Sequence, residues 1–267
     1  GLSLGSTTAA RDEEGAWREI NTSVERLGVA PLALYFFHGI ADDEQIRQIA
    51  SPGGALRAFE RARDAGLIRH MAMSSHWPAV YVEAARCLPI EAALIWGNYW
   101  DFCNFPEIPA EVIPALREGG VGIIFMKPLA DGYLYRSPRE AFRYALAQDA
   151  DCIVAGFNSL EMLEADLEAC CAEGRADFYE IAEIMALAPE LGRYVCRQCA
   201  TCSVREDGRE VKRVFELEGK YDRQMDDRLP TDAAHYALRE RLKGWFHQTD
   251  RARALYAAEG LDAAGMA

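Results

Sequence analysis

The chain has 267 residues, half of them hydrophobic, with 29 Lys and Arg against 42 Asp and Glu and a formal net charge of −13. That length suffices for one large domain or two small ones, and the composition argues against a disordered chain. The acidic balance argues against a nucleic-acid binder, which needs a basic face, and against an anionic membrane surface.

No apolar run approaches the roughly 18 residues that span a bilayer, and no basic-then-apolar opening marks a signal peptide. A cytoplasmic protein without membrane insertion is expected. The sequence opens at Gly1, inside what reads as a strand over residues 2–6. That start suggests processing or a longer gene product.

In chain order, short apolar runs alternate with amphipathic stretches. After residues 2–6 the runs are Leu32–Phe37, 68–73, Ala92–Trp96, Gly122–Met126 and 152–155. Near-continuous apolar runs suit parallel strands buried on both faces. Between the first two, Trp17, Ile20, Val24 and Leu27 recur at helical spacing behind a capping Asp12. Residues 55–65 read as a helix closed by Gly66, Pro138 opens a helix over 141–147, and Ser159 caps one over 160–172.

A strand and a helix recurring roughly every 30 residues imply βαβ units and a parallel sheet. Six units are counted, where a closed barrel has about eight. The expected fold class is therefore α/β: a (β/α)8-type, TIM-like parallel barrel, incomplete at its N-terminus by two units.

Past residue 174 the rhythm changes, so residues 1–174 are read as a partial barrel and 175–267 as a helical tail. The tail holds a short helix over 177–188, a cysteine cluster, a charged stretch over 205–213 and helices over 214–219 and 233–258. Of eight cysteines, Cys87, Cys103, Cys152, Cys170 and Cys171 are scattered and read as reduced and buried small hydrophobes. Cys196, Cys199 and Cys202 are spaced for one metal centre. Three thiolates leave three readings open: an iron–sulfur cluster, zinc with a fourth ligand, or a degenerate motif that holds nothing.

Several segments resemble the aldo-keto reductase family in order and spacing. Ala10-Arg11-Asp12-Glu13-Glu14-Gly15-Ala16 is similar to the segment after the family's third strand. Leu34-Tyr35-Phe36-Phe37-His38-Gly39 resembles the fourth strand, which ends in the active-site His. Gly66-Leu67-Ile68-Arg69 with Met73-Ser74-Ser75-His76, Met126-Lys127-Pro128-Leu129, and Gly156-Phe157-Asn158-Ser159 resemble later strands and turns. The tail resembles a subgroup with a C-terminal iron–sulfur motif, although its fourth cysteine falls on Arg205 here.

The resemblance implies a hydride-transfer site built on Asp, Tyr, Lys and His. The family's Asp and Tyr come from its first two units. The Lys position falls on Thr7, so His38 alone remains as a catalytic remnant. Without an acid of tuned pKa, a developing alkoxide lacks a proton source. For the cofactor, the resemblance implies contacts at Ser74, Ser75, Asn98, Lys127, Gly156, Asn158 and Ser159. The family's nicotinamide Gln and ring-stacking Tyr fall on Leu94 and Gly97, and its adenosine-side pair falls on Ala165-Asp166. NADP binding in the usual mode is therefore not expected.

Each site has a plainer alternative. His38 can be a core histidine bonded to backbone, and Lys127 a surface or salt-bridged lysine. Trp96, Tyr99, Trp100 and Phe102 either line a pocket or an interface or pack the barrel top.

Two functional readings follow. In one, the chain is a non-catalytic structural or regulatory subunit. Its open barrel edges would then be covered by another chain or by copies of itself, because unpaired edges recruit partners. In the other, it is a fragment of an NAD(P)H- or iron–sulfur-dependent oxidoreductase of the same family.

Overall fold

A computed structural model of the protein describes residues 2–130, 134, 137–157, 160–171 and 175–191. The chain divides into two compact units. One comprises Gly1–Gly97, Phe105–Met126 and Gln148–Val154; the other comprises Asn98–Asn104, Lys127–Ala147 and Ala155–Ala267.

All the described strands belong to the first unit: β1 (Gly5–Thr8), β2 (Leu32–Phe37), β3 (Ile68–Ser74), β4 (Ala92–Trp96), β5 (Gly122–Met126) and β6 (Cys152–Val154). Each pairs in parallel with the next in sequence, giving the sheet order β1-β2-β3-β4-β5-β6. An order that never reverses is the topology of a (β/α) barrel and not of a doubly wound sheet. The fold is an incomplete (β/α)8 barrel of six parallel strands, as the apolar runs imply.

The first strand starts three residues later and ends two residues later than the sequence suggests, at Gly5–Thr8 instead of 2–6. Register decides this: Gly5 to Thr8 face Leu34 to Phe37, which places the polar Thr7 and Thr8 in the sheet. Helix α1 (Glu13–Leu27) begins where expected, with the Asp12 carboxylate accepting from the Gly15 amide and Gly28 closing it at φ 65°. Helix α3 (Ala55–Asp64) ends before Gly66, at φ 71°.

Four helices were not anticipated: α2 (Asp43–Ala50), α4 (Pro78–Cys87), α5 (Tyr99–Asn104) and α6 (Ile113–Glu118), with a π-helical turn at Ile108–Val112. Of these, α2 is short, and α4 opens at Pro78 behind Trp77, whose side chain makes no capping bond.

Side chains alternate across the sheet. Phe36, Ala72, Ala92 and Ile124 form one apolar cluster, with Leu34 and Leu94 packed against it. On the opposite face, Phe37 stacks on Phe59 of α3 at 3.7 Å between centroids, and Tyr35 meets the same ring edge-on at 5.3 Å. By this alternation His38, Ser74 and Trp96 continue the face of the first cluster toward the C-terminal strand ends. Thr7, paired with Phe36, also lies on that face.

In the second unit, α7 (Pro138–Ala147) packs against α8 (Leu160–Cys171) and α9 (Phe178–Leu191). Arg143 of α7 makes two 2.6 Å hydrogen bonds to Glu180 of α9. The Tyr144 ring meets Tyr99 and Phe102 edge-on, and burial pushes its phenol up to about 12. The tail helix begins at Phe178, with the Asp177 carboxylate accepting from the Glu180 amide.

Candidate functional site at the C-terminal strand ends

In barrels of this class, ligands meet the loops at the C-terminal ends of the strands. In the first unit that end is dominated by the turn after β2. Its amides are all engaged: His38 donates to the Thr8 carbonyl (2.9 Å), Gly39 to Ser74 Oγ (2.9 Å), and Ile40 to the Ser74 carbonyl (2.9 Å). The Ala41 amide donates to Gln45 Oε1 at 3.1 Å. The carbonyls are held as well. Arg11 Nη2 donates to His38 O (2.7 Å) and Gly39 O (3.1 Å), and Ser75 Oγ donates to Ile40 O (2.6 Å).

Gly39 sits at φ 62°, a conformation that glycine adopts without strain. Burial lowers the Arg11 pKa against the opposing charge of Asp42, but a guanidinium stays cationic. Its two bonds to the turn are therefore charge-assisted.

This turn leaves the His38 side chain exposed, so the core-histidine alternative does not describe it. Its Nδ1 lies 3.1 Å from Ser74 Oγ, and no bond from Nε2 to a described residue is present. Ser74 is 3% exposed and its oxygen already receives the Gly39 amide. Ser75 is 1% exposed; besides Ile40 O, its hydroxyl receives the Trp77 amide at 2.9 Å. The Tyr81 hydroxyl accepts from the Ser75 amide (3.0 Å) and lies 2.6 and 2.7 Å from the carbonyls of Ser75 and Leu94. Burial pushes the Tyr81 phenol well up.

Gly97 follows β4 and donates its amide to Met126 O at 3.1 Å. A Cβ there would lie 2.0 Å from Phe125 Cγ, far inside van der Waals contact. No larger side chain fits at Gly97 while Phe125 holds its place. The neighbouring Trp96 stacks on His76 (5.4 Å) and tilts against Phe105 (5.2 Å). Thr7 is exposed, and its carbonyl lies 3.3 Å from the Tyr35 hydroxyl.

In the second unit, Asn98 is fully buried. Its Nδ2 donates to Asp101 Oδ2 (2.5 Å) and Lys127 O (2.8 Å), and its Oδ1 receives the Asp101 amide (2.8 Å). It thereby caps α5. Lys127 is half-buried at φ 56°, a left-handed conformation that costs a non-glycine residue about 1 kcal/mol. Its carbonyl also receives the Ala130 amide at 2.8 Å. Tyr99, Trp100 and Phe102 are buried, whereas Gly156 is exposed. Contrary to expectation, the scattered cysteines are not buried: Cys87, Cys152 and Cys171 are exposed, and Cys103 and Cys170 are half-buried.

Asn158, Ser159, Cys196, Cys199 and Cys202 lie outside the described residues. Among the described residues no group of three or more His, Cys, Asp or Glu is placed to hold a metal ion. Among them, too, no helix is long and apolar enough to cross a membrane. Sequence reasoning missed Arg11 and Gln45 as the clamp on the His38 turn. Arg11 lies 27 residues from His38 and Gln45 lies 34 residues from Arg11, so no local pattern links them.

The model of the aldo/keto reductase family matches residues 5–183. The chain belongs to the aldo/keto reductase family.

Among relatives, the chain is 24% identical over 185 residues to the uncharacterized oxidoreductase YqkF of Bacillus subtilis, covering 69% of this chain and 53% of that protein. It is 28% identical over 125 residues to an aldo-keto reductase of Schizosaccharomyces pombe, yakc, whose name includes NADP(+); the match covers 45% of this chain and 34% of that protein. The chain thus spans about half the length of the first relative and a third of the second. The structure of aldo-keto reductase AKR11C1 from Bacillus halodurans, in its holo form, superposes with a TM-score of 0.58 at 22% identity, covering 78% of this chain and 75% of that one. MGS-M4, an aldo-keto reductase from a deep-sea metagenome library, gives 0.54 at 14% identity over 70% and 71% of the two chains. These structural likenesses carry the fold.

Proposed function

We propose that this chain is an aldo/keto reductase relative that does not reduce carbonyls with NADP(H) in the family's manner and acts as a structural or regulatory subunit. The contact between Gly97 and Phe125 carries this reading. The nicotinamide-stacking ring expected from the resemblance has no room at position 97. The polar groups expected on the cofactor point the same way. Ser75 and Asn98 are engaged with the protein itself, and Ser74 is shared between Gly39 and His38. The residues present therefore do not fit NADP(H) in that arrangement.

A partner chain or a second copy covering the sheet edges belongs to the same reading, because among the described residues β1 and β6 end the sheet. The test is direct. NADPH fluorescence should show no saturable binding at micromolar concentrations, and a panel of aldehydes should show no turnover near the ordinary range of about 1 per second. Binding together with turnover overturns the reading. Light scattering of the full chain is expected to show an oligomer, and a monodisperse monomer removes the partner.

One observation favours a second reading, in which the barrel mouth holds a ligand: His38 stays exposed on a turn whose amides and carbonyls are clamped. An iron–sulfur centre at Cys196, Cys199 and Cys202 belongs to the oxidoreductase version of this reading. Iron and sulfide counts on protein purified under nitrogen test it, and their absence removes that centre.

A further inference from the structure

The Ser74 hydroxyl has one proton and can accept two. One acceptor position is taken by the Gly39 amide at 2.9 Å. His38 Nδ1 lies 3.1 Å away, and no other side chain or carbonyl bonds Ser74 Oγ among the described residues. If Nδ1 carried the proton, Ser74 Oγ would receive two N–H groups. Its own proton would then lack an acceptor at a site 3% exposed, and a buried unsatisfied donor is costly. If Nδ1 is bare, every group is paired: the Gly39 amide donates to Ser74, and Ser74 donates to His38. The neutral ring then holds its proton on Nε2, the nitrogen left free of described partners.

We propose that Ser74 is a positioning residue that fixes His38 as the Nε2–H tautomer, so that the barrel mouth presents a preset N–H donor to a ligand carbonyl oxygen. This gives Ser74 a role different from the cofactor contact that the resemblance implies. Arg11 supports it by holding both carbonyls of the same turn, which fixes the ring's point of attachment. A donor whose direction and proton are set before binding loses little ordering entropy when a ligand arrives. The inference rests on the ligand-holding reading for its use, but the tautomer itself exists without ligand.

The test is a long-range proton–nitrogen correlation spectrum of the full chain, labelled at histidine. It is recorded in alkaline solution, where imidazoles are neutral, and the His38 signals are assigned by their loss in His38→Gln. The wild-type ring is expected in the Nε2–H form. Ser74→Ala should lower the ratio of Nε2–H to Nδ1–H by about fivefold, the equivalent of one hydrogen bond of about 1 kcal/mol. Ser74→Thr, which keeps the hydroxyl, should hold the wild-type ratio. Ser74→Ala also leaves the Gly39 amide unpaired; should it fail to fold, the wild-type spectrum and the Thr variant decide. An Nδ1–H ring in the wild type overturns the proposal, as does a folded Ser74→Ala protein with an unchanged ratio. Neither result depends on whether a ligand binds, so the fate of the ligand-holding reading is told apart by carbonyl titrations of the wild type.

Discussion

The two ends of the same parallel strands in the first unit are built on different principles. At the N-terminal end the polar contacts come from side chains at the surface. Glu91, just before β4, accepts the Met71 amide of β3 and pairs with His70 at 2.7 Å. Asp151, just before β6, repeats the device: it accepts the Ile123 amide of β5 at 2.7 Å and pairs with Arg117 at 2.5 Å. In both cases an acidic residue preceding one strand ties down the neighbouring strand, and its side-chain partner is at least partly solvated.

At the C-terminal end the contacts are aimed at backbone, with those of Ser74 and Ser75 buried or partly buried and those of Arg11 exposed. Ser74, Ser75 and Arg11 hold the turn after β2, and the histidine it carries faces solvent. The first arrangement stabilises the sheet; the second also holds a chemically useful side chain in place.

The largest expected effect lies at the C-terminal end. Gly97→Ala should destabilise the protein by about 3 kcal/mol in urea unfolding, because the new Cβ meets the Phe125 ring. Adding Phe125→Ala should bring a measurable favourable coupling, since the two positions touch. A neutral Gly97→Ala would remove the steric argument against the stacking ring.

Ser75→Ala should cost about 2 kcal/mol. It strips Ile40 O and the Trp77 amide of a partner within a buried site. A loss as small as that of a surface substitution would show that the turn is not held in the way described.

Arg11→Met should cost about 1–2 kcal/mol by freeing the His38 and Gly39 carbonyls. Arg11→Lys should recover only part, because an ammonium lacks the planar fork. Full recovery by Lys would reduce Arg11 to a point charge.

The smallest effect belongs to the N-terminal end. Arg117 and the Ile123 amide hold the Asp151 carboxyl below its usual range. A carboxylate so depressed contributes stability above its unfolded pKa, and that contribution is lost as pH falls through the folded one. Asp151→Asn should therefore flatten the acid limb of the stability curve. Near neutral pH it should change stability by less than about 1 kcal/mol, since the side chain is largely solvated. An unchanged acid limb would mean that the pair adds nothing and that the two ends differ less than the geometry suggests.

Much of the fold was legible because its signals are local. Apolar runs marked β2, β4 and β5 at their observed limits, and Asp12 marked the start of α1 through capping chemistry confined to a few residues. The position of β1 was not legible. Thr7 and Thr8 carry no apolar signal, and only pairing with Phe36 and Phe37 makes them strand. His38 stood out as a candidate, but its exposure and its clamp did not. Both depend on Arg11, Ser74 and Ser75 arriving from the ends of β1 and β3. Gly97 was visible as a residue, whereas the Phe125 ring brought beside it by β5 was not.

The sequence by itself determined the class of fold, because hydrophobic periodicity and chain order together admit few ways to bury the strands. It also singled out His38, Ser74 and Gly97 as positions to watch. Only the tertiary structure decided what those residues touch. Hydrogen bonds and steric contacts between strands form at distances of a few ångströms between groups tens of residues apart. No local pattern records which hydroxyl holds which ring, or which ring leaves room for nothing larger than glycine.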